Sequence, residues 1–447
     1  MIDHPEREAL HNEIHARPRQ AIAAPHRVSH IALLRPRPAR SGNAPENAAS
    51  VGDDDPLAAL CAAHRLPAPS PADTHFLADF GTFRLKRERH GEFDGYTIDA
   101  RGCDESDPFG SPALDALPAG WLASLPGERI AAVHLAVLPG AANADAARES
   151  AALARVFDGH ELCGATIADG AARVYTDFRL ARDGFVRMLL LDASMGPKRT
   201  GREVQRLIEI EVYRMMAMLA FPLARATAAE LDATERSLGA LVARLEGAPP
   251  DEEPALLQEL TRLAATVERL AATVGFRFGA ARAYHAILRQ RGEDLRMGRI
   301  ASLQTPIAFL ERRFDPAMAF CESVGRRIES ASERVARASA LLRTRVDIER
   351  ERHNQALLQA MNRRAELQLK LQQTVEGLSV AAITYYAVGL VHHLLEAAHA
   401  AGAPFDVDIA TGVAVLPVAI VVALGVRHIR ETVGRRLRET PADPRYD

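Results

Sequence analysis

The sequence predicts a cytosolic α+β domain, an antiparallel sheet with helices, followed by a long helical stalk and two C-terminal transmembrane helices. Three observations predict it. Residues 76–192 contain short alternating apolar runs that are typical of strands. No proline occurs between Pro316 and Pro404, and the apolar segments 377–395 and 409–426 contain no Asp, Glu, Lys or Arg.

The composition limits the function classes. The 447 residues are 48% hydrophobic, enough for a sizeable core, and the formal net charge of −3 argues against nucleic-acid binding. The four cysteines are scattered without a C-x-x-C pair, which is typical of thiols in a reducing compartment. The charged first residues, MIDHPEREALHNEIH, predict no cleavable secretory signal.

The first element is predicted to be a short helix that starts at Pro5 and ends before Pro18. At ~100° per residue, His4, Glu8, His11 and His15 share one narrow face of it. The pattern HNEIH has neither the H-E-x-x-H nor the H-x-x-E-H spacing of metalloprotease helices.

Three interpretations of this histidine-rich face stay open. His11 and His15 are candidate metal ligands for a divalent cation, with a third ligand from elsewhere. The face is also suited to ligand or anion binding, or to docking the helix onto the sheet through hydrogen bonds. No P-loop, G-x-G-x-x-G fingerprint or nucleophile elbow is present, so we expect no enzyme activity and no resident cofactor.

Residues 1–225 form the predicted cytosolic domain, with a flexible loop at 36–56 that is rich in Pro, Ala, Asn and Gly. Val174–Leu180 alternate before an Asp183-Gly184 turn, which predicts a hairpin. The next helix is predicted to start with a capping box formed by Thr200 and Glu203. Three cations near that helix start are anion-binding candidates: Lys198, Arg199 and Arg202.

Residues 226–376 form the predicted helical, coiled-coil stalk. Apolar residues there recur at alternating spacings of four and three, which is typical of a coiled-coil seam. The seam residues are Val324, Ile328, Ala331, Val335, Ala338 and Leu342. We expect the stalk to pack against copies of itself or against the preceding helices.

Residues 377–426 form the two predicted spans, joined by an outer loop at 396–408 and followed by a basic tail at 427–447. Lys and Arg precede the first span and follow the second, but the connection between the spans contains neither. The positive-inside rule therefore places both termini on the cytoplasmic side of a bacterial inner membrane. Polar, small and ionisable residues of the first span are pore-lining candidates: Ser379, Thr384, Tyr385, Gly389, His392, His393 and Glu396.

Two resemblances accompany these patterns. The segments HPEREALHNEIHARP, EIEVYRMMAMLAFPLA and LLRTRVDIERERHNQALLQAMNRRAELQLKLQQTVEGLSVAAITYY resemble a bacterial family of uncharacterised membrane-anchored proteins that carries the HNEIHARP motif. The order of domain, stalk, two spans and basic tail is similar to CorA-type magnesium transporters, a resemblance that implies a homopentamer. The Gly-Met-Asn signature of those transporters is missing, and AVGLVHHLLEAAHAAG stands in its place.

We therefore expect a homo-oligomeric two-span protein in the lipid bilayer, with a large cytosolic domain and CorA-like topology. Whether it is a cation channel or transporter stays open at this point. The alternatives are a membrane-anchored scaffold or sensor with an unknown cytosolic partner, and a metal-dependent enzyme that uses the N-terminal histidines.

Overall fold

The computed structural model describes residues 4, 7, 11, 20–35, 55–70, 73–141, 146–402, 404 and 406–438. The chain divides into two compact units, Met1–Ala340 and Leu341–Asp447. Most of the predicted N-terminal helix, including His15, and most of the predicted loop at 36–56 lie outside the described residues.

The first unit is built on one nine-stranded sheet, whose strands lie in the order β2-β3-β4-β1-β5-β8-β7-β6-β9. The strands are β1 His26–Leu34, β2 His75–Asp79, β3 Arg84–Arg89, β4 Phe93–Arg101, β5 Glu128–Pro139, β6 Cys163–Ile167, β7 Ala172–Leu180, β8 Val186–Asp192 and β9 Gly298–Arg299. The predicted hairpin is confirmed, because β7 and β8 pair antiparallel on either side of the Asp183-Gly184 turn.

The expectation of a purely antiparallel sheet was wrong, because β5 and β8 pair in parallel. A helix and the strands β6 and β7 intervene between them, so the chain returns to the start of β5 before it forms β8. Parallel neighbours need such a crossover of a dozen or more residues. The sheet is therefore mixed.

Nine α-helices and one 3-10 helix, Ala113–Ala116, occur among the described residues. The α-helices are α1 Pro56–Ala63, α2 Trp121–Ser124, α3 Ala146–Val156, α4 Pro197–Met218, α5 Ala220–Gly247, α6 Glu253–Asp294, α7 Pro306–Arg313, α8 Asp315–Ala400 and α9 Val407–Arg438. On one face of the sheet, Leu57, Trp121 and their neighbours bury Leu85 and Ile98. Helix α4 lies over the other face, where Val204 and Ile208 approach Val28.

Helix α4 begins one turn earlier than predicted, so the predicted capping box was wrong. Its N-cap is Gly196, without a side-chain hydrogen bond, and Pro197 occupies the first turn, a position that suits proline. Thr200 lies inside the helix and donates to Asp192 Oδ2 at 2.6 Å. Glu203 is buried and accepts from Arg206.

The segment that enters β1 is held against the start of α4. Ile22 N donates to Pro197 O at 3.0 Å. A Cβ at Gly201 would lie 1.8 Å from Gln20 O, so only glycine permits this approach. The chain directly after the HNEIHARP motif is thus fixed on the first turns of α4.

Helices α5, α6 and the first part of α8 pack together beside the sheet. Arg327 of α8 pairs with Asp232 and Glu235 of α5, and Ser332 of α8 donates to Glu268 of α6. The predicted seam from Val324 to Leu342 is confirmed, because every one of its residues is buried.

The second unit contains the rest of α8 and α9. Both helices are long and apolar enough to cross a membrane. Helix α8 continues to Ala400, so Glu396 lies within it, and the connection to α9 begins at Ala401. Helix α9 extends to Arg438, and residues 439–447 of the predicted basic tail lie outside the described part of the chain.

Candidate functional site

A polar cleft lies between helix α4 and the sheet face formed by β1, β3 and β4. The cleft is narrow and opens to solvent. The lining residues are Gln20, Ile22, Val28, His30, Lys86, Glu88, His90, Phe93, Thr97, Gly201, Val204, Gln205, Ile208, Glu209, Val212 and Tyr213.

Strand register brings polar side chains to the floor of this cleft. His30 of β1 and Lys86 of β3 both pair with Thr97 of β4. Since side chains alternate between the two faces of a strand, residues paired in this way point to the same face. Glu88, two positions after Lys86, joins them on the face that α4 covers.

His30 is the most deeply placed titratable group of the cleft, with 5% of its surface exposed. Its Nδ1 lies 2.9 Å from Thr97 Oγ1, and its buried Nε2 has no hydrogen-bond partner among the described residues. Burial lowers the pKa of His30 to about 3, against a smaller opposing effect of Glu88. The ring is therefore neutral at physiological pH.

The two charges on the floor neutralise each other. Lys86 Nζ lies 2.8 Å from Glu88 Oε2, and both side chains are largely buried. Burial alone would raise the pKa of Glu88, but the charge of Lys86 and its hydrogen bond lower the pKa overall. Glu88 therefore stays ionised, and its charge offsets that of Lys86 in the cleft.

Helix α4 covers the cleft, and its cleft-lining residues contact helix α6. Gln205 donates to Glu209 Oε1 at 2.9 Å, and Arg291 of α6 pairs with Glu209. The ring of Tyr213 stacks on Tyr284 of α6 with a centroid distance of 5.7 Å. Glu209 and Tyr213, which line the cleft from α4, are thus positioned by side chains of α6.

A second buried atom of the cleft has no partner among the residues that the structure describes. Gln20 Nε2 is inaccessible to solvent and makes no hydrogen bond there. Buried polar groups are nearly always hydrogen-bonded, because an unpaired one costs about 1–3 kcal/mol. The cleft therefore combines charges that are already paired with two polar atoms, on Gln20 and His30, that are suited to bind a neutral group.

A second polar network lies on the opposite face of the sheet. Ser29 Oγ lies 2.9 Å from His134 Nδ1, and His134 Nε2 lies 3.6 Å from Asp183 Oδ2. Although these residue types form the triad of serine hydrolases, here the serine contacts Nδ1 and the aspartate lies near Nε2, which reverses the triad arrangement. His134 stacks on Phe185, and burial lowers its pKa to about 4. This network is structural.

Two of the three predicted anion-binding cations contact protein groups. Arg199 donates to Ala168 O and pairs with Asp169, and Arg202 lies 3.4 Å from Glu203. Lys198 is exposed. An anion site at these residues stays a prediction.

The predicted metal ligands are only partly within the described chain. His11 is described, whereas His15 is outside it. Within the described ranges, no group of three His, Cys, Asp or Glu side chains is placed to hold a metal ion. The metal site also stays a prediction.

The hydroxyl groups among the pore-lining candidates bind to their own helix. Ser379 Oγ donates to Val375 O at 2.8 Å, and Thr384 Oγ1 donates to Val380 O at 2.7 Å. Tyr385 is exposed, and a Cβ at Gly389 would meet no atom within 4 Å.

The ionisable candidates lie nearer the end of α8. His392 Nδ1 is 2.9 Å from Thr411 Oγ1 of α9, and His393 Nδ1 is 3.1 Å from Glu396. His392 therefore joins the two helices of one chain.

Sequence patterns did not indicate the polar cleft. Lys86 and Glu88 belong to the run LKRERH, which by composition resembles an exposed strand. Only the pairing of β3 between β2 and β4, under α4, buries them. A weak signal was present in β1, where His26, Val28 and His30 alternate with Ser29 and Ile31 and so place polar groups on both faces.

Comparisons with known proteins gave one match. A family model described as "Protein of unknown function (DUF3422)" matches residues 2–433. No curated protein and no solved structure matched the chain.

Proposed function

The chain belongs to this DUF3422 family, and we propose that it is a membrane-anchored sensor whose α+β unit binds a small neutral molecule in the polar cleft. The observation that carries the proposal is the buried Nε2 atom of His30, which lines the cleft without a partner among the described residues.

The chemistry of the cleft favours a neutral ligand with a hydrogen-bond acceptor. Lys86 is paired with Glu88, and Glu209 with Arg291, so a charged ligand would have to break an existing ion pair. The Nε2 group of Gln20 donates only, which suits a carbonyl or hydroxyl oxygen of the ligand. Val28, Phe93 and Ile208 provide apolar walls for its carbon skeleton.

The two C-terminal helices support the anchor. Arg363, Arg364 and Lys370 precede the first apolar segment, and Arg427 and Arg430 follow the second. Under the positive-inside rule, this distribution favours an inner-membrane protein with both termini in the cytoplasm. The hydroxyl groups of Ser379 and Thr384 bind to backbone oxygens of their own helix, which suits an anchor in lipid.

A route from the cleft to the anchor is available through helices. Glu209 and Tyr213 line the cleft and contact Arg291 and Tyr284 of α6. Helix α6 packs on α8, and α8 continues as one helix into the first apolar segment. We propose that occupancy of the cleft changes the position of α4 against α6 and that this change is passed along α8.

The proposal is tested by the small molecules that the protein retains. Full-length chain is purified in nanodiscs, denatured, and the released compounds are identified by liquid chromatography and mass spectrometry. His30→Phe fills the polar end of the cleft. His134→Phe is the matched control, because it also replaces a buried neutral histidine, on the opposite face of the sheet.

We expect a compound that the wild type and His134→Phe release in equal amounts and that His30→Phe lacks. A thermal shift with a panel of neutral metabolites provides the same comparison if the ligand is lost in purification. Absence of any retained compound and of any stabilising metabolite would contradict the sensor. Divalent-cation flux into liposomes that exceeds that of empty vesicles would instead favour the transport alternative.

A further inference from the structure

The middle of helix α8 exposes large apolar side chains in water. All residues from 350 to 375 are exposed among the described residues, including Leu357, Met361 and Leu371. This stretch ends before the predicted first span at residue 377, so lipid does not cover it. Contiguous apolar patches of this kind mark interaction surfaces.

The seam that packs within the chain does not continue into this stretch. Extending the spacing of Val324 to Leu342 by alternate steps of three and four reaches Arg345, Glu349 and Arg352. These charged residues cannot continue an apolar seam. Beyond Leu342, helix α8 therefore presents a different face.

A new seam begins on that face. Leu357, Met361, Leu371, Val375 and Leu378 lie at a/d positions of one heptad frame. Arg364 and Gln368 occupy the remaining two positions between them, and the long stem of Arg364 allows its charge to reach water at the edge.

The e and g positions that flank this seam carry no charged residue. Between Leu357 and Leu378, the other charged residues are Arg363, Glu366, Lys370 and Glu376, which all fall at outer heptad positions. Such separation is typical of a helix with a partner along one face.

We infer that this face, from Leu357 to Leu378, binds the same face of a second copy of this chain in parallel. A partner helix must follow α8 toward the first apolar segment, since α8 is unbroken to Ala400. A second copy anchored in the same membrane holds its own seam parallel and at the same height. The inference goes beyond the sensor proposal, because the cleft lies entirely within one chain.

The same spacing continues into the first apolar segment at Ala382, Tyr385 and Gly389. A Cβ at Gly389 would meet no atom within 4 Å, so space for a close neighbour is available there. Small residues permit close approach of helices in lipid. The contact between copies therefore extends from the water-exposed stretch into the bilayer.

The test is disulfide cross-linking between copies of the full chain in native membranes. Leu371→Cys lies on the seam, and Leu369→Cys is the matched control, since both leucines are exposed and lie about 200° apart around the helix. The background carries Cys103→Ser, because the other cysteines are buried. Mild oxidation is followed by gel analysis of the dimer band.

We expect at least about tenfold more dimer from Leu371→Cys than from Leu369→Cys, since disulfide formation requires Cα atoms within ~7 Å. Equal cross-linking of both variants, or none with Leu371→Cys, overturns the inference. If both cysteine variants retain the same cleft compound as the wild type, the result of the cross-linking leaves the sensor proposal unaffected.

A second measurement uses the particle mass in nanodiscs. Leu357→Glu with Leu371→Glu is expected to shift the wild-type oligomer to single chains, while Leu369→Glu keeps the wild-type mass. A wild-type chain that is monomeric, or an oligomer that the double substitution leaves intact, would also overturn the inference.

Discussion

The polar cleft and the exposed stretch of α8 depart from normal burial in opposite ways. In the cleft, His30 and Gln20 bury polar atoms without partners among the described residues. On α8, Leu357 and Leu371 leave most of their apolar surface in water. We propose that each departure is relieved by something outside the single chain: a small neutral molecule in the cleft, and the same helix of a second copy along α8.

The comparison also separates two uses of charge. In the cleft, Lys86 and Glu88 are buried together, so charge is present but neutralised. Along the seam of α8, the charged residues other than Arg364 are placed at outer heptad positions. The cleft therefore keeps its charge inside and neutralises it in ion pairs, whereas the seam keeps most charge on the outer side of the helix.

The largest expected effect comes from separating the buried ion pair. Lys86→Met leaves Glu88 buried without its partner, and we expect a loss of about 3–5 kcal/mol of unfolding free energy. The double variant Lys86→Met, Glu88→Leu is expected to recover most of it. Denaturant unfolding followed by the fluorescence of Trp121, the one tryptophan, measures both. A single variant as stable as the wild type would show that the pair is not desolvated.

Gly201→Ala tests the contact between α4 and the segment that follows the HNEIHARP motif. The new Cβ would lie 1.8 Å from Gln20 O, so the backbone must move, and we expect a loss of about 1–3 kcal/mol. Gly239→Ala in α5 is the control, because a Cβ there meets no atom within 4 Å and alanine favours a helix by about 1 kcal/mol. Equal stability of the two variants would contradict the close approach.

Acid should destabilise the first unit through two of its buried histidines, His30 and His134. The folded pKa values of His30 and His134 are lowered to about 3 and about 4, from 6.5 when unfolded. Below pH 6.5 the unfolded chain therefore binds protons that the folded chain does not, so the unfolding free energy decreases as the pH is lowered. Above pH 6.5 both states are neutral at these rings, and the stability that the neutral rings provide is fully present.

Each histidine is expected to contribute about 1.4 kcal/mol per pH unit below its unfolded pKa. Unfolding free energies from about pH 7 to about pH 5 measure this slope. Both His30→Phe and His134→Phe should reduce it by similar amounts, although only His30→Phe affects the cleft. A slope unchanged by either substitution would mean that these rings are protonated in the fold.

The smallest effect is expected at the hydroxyl groups of the first apolar segment. Ser379 and Thr384 donate to their own helix, so Ser379→Ala and Thr384→Ala should change stability by no more than about 0.5 kcal/mol. Thermal unfolding and particle mass in nanodiscs measure these effects. A change in cation flux on either substitution would support a pore instead of an anchor.

Local patterns predicted the local elements well. The Asp183-Gly184 turn predicted the β7–β8 hairpin, and the spacing from Val324 to Leu342 predicted a buried seam. Both signals depend on near neighbours in the chain. The parallel pairing of β5 with β8 could not be predicted in this way, because it depends on where the chain returns after β6 and β7.

The cleft was missed for the same reason. Lys86 and Glu88 are ordinary surface residues by type, and their burial follows from sheet order and from the position of α4. Likewise, Thr200 with Glu203 matched a capping box, but Pro197 starts the helix one turn earlier. A short motif fits several positions, and tertiary contacts decide between them.

The measurement that tests the proposed ligand-binding cleft most directly is an electron cryomicroscopy map of the full chain in nanodiscs at side-chain resolution. The account predicts density of a small non-protein molecule in the polar cleft, within hydrogen-bond distance of His30 Nε2 and Gln20 Nε2. A side chain of residues 1–19 bound to His30 Nε2, or a cleft that contains only water, would contradict it.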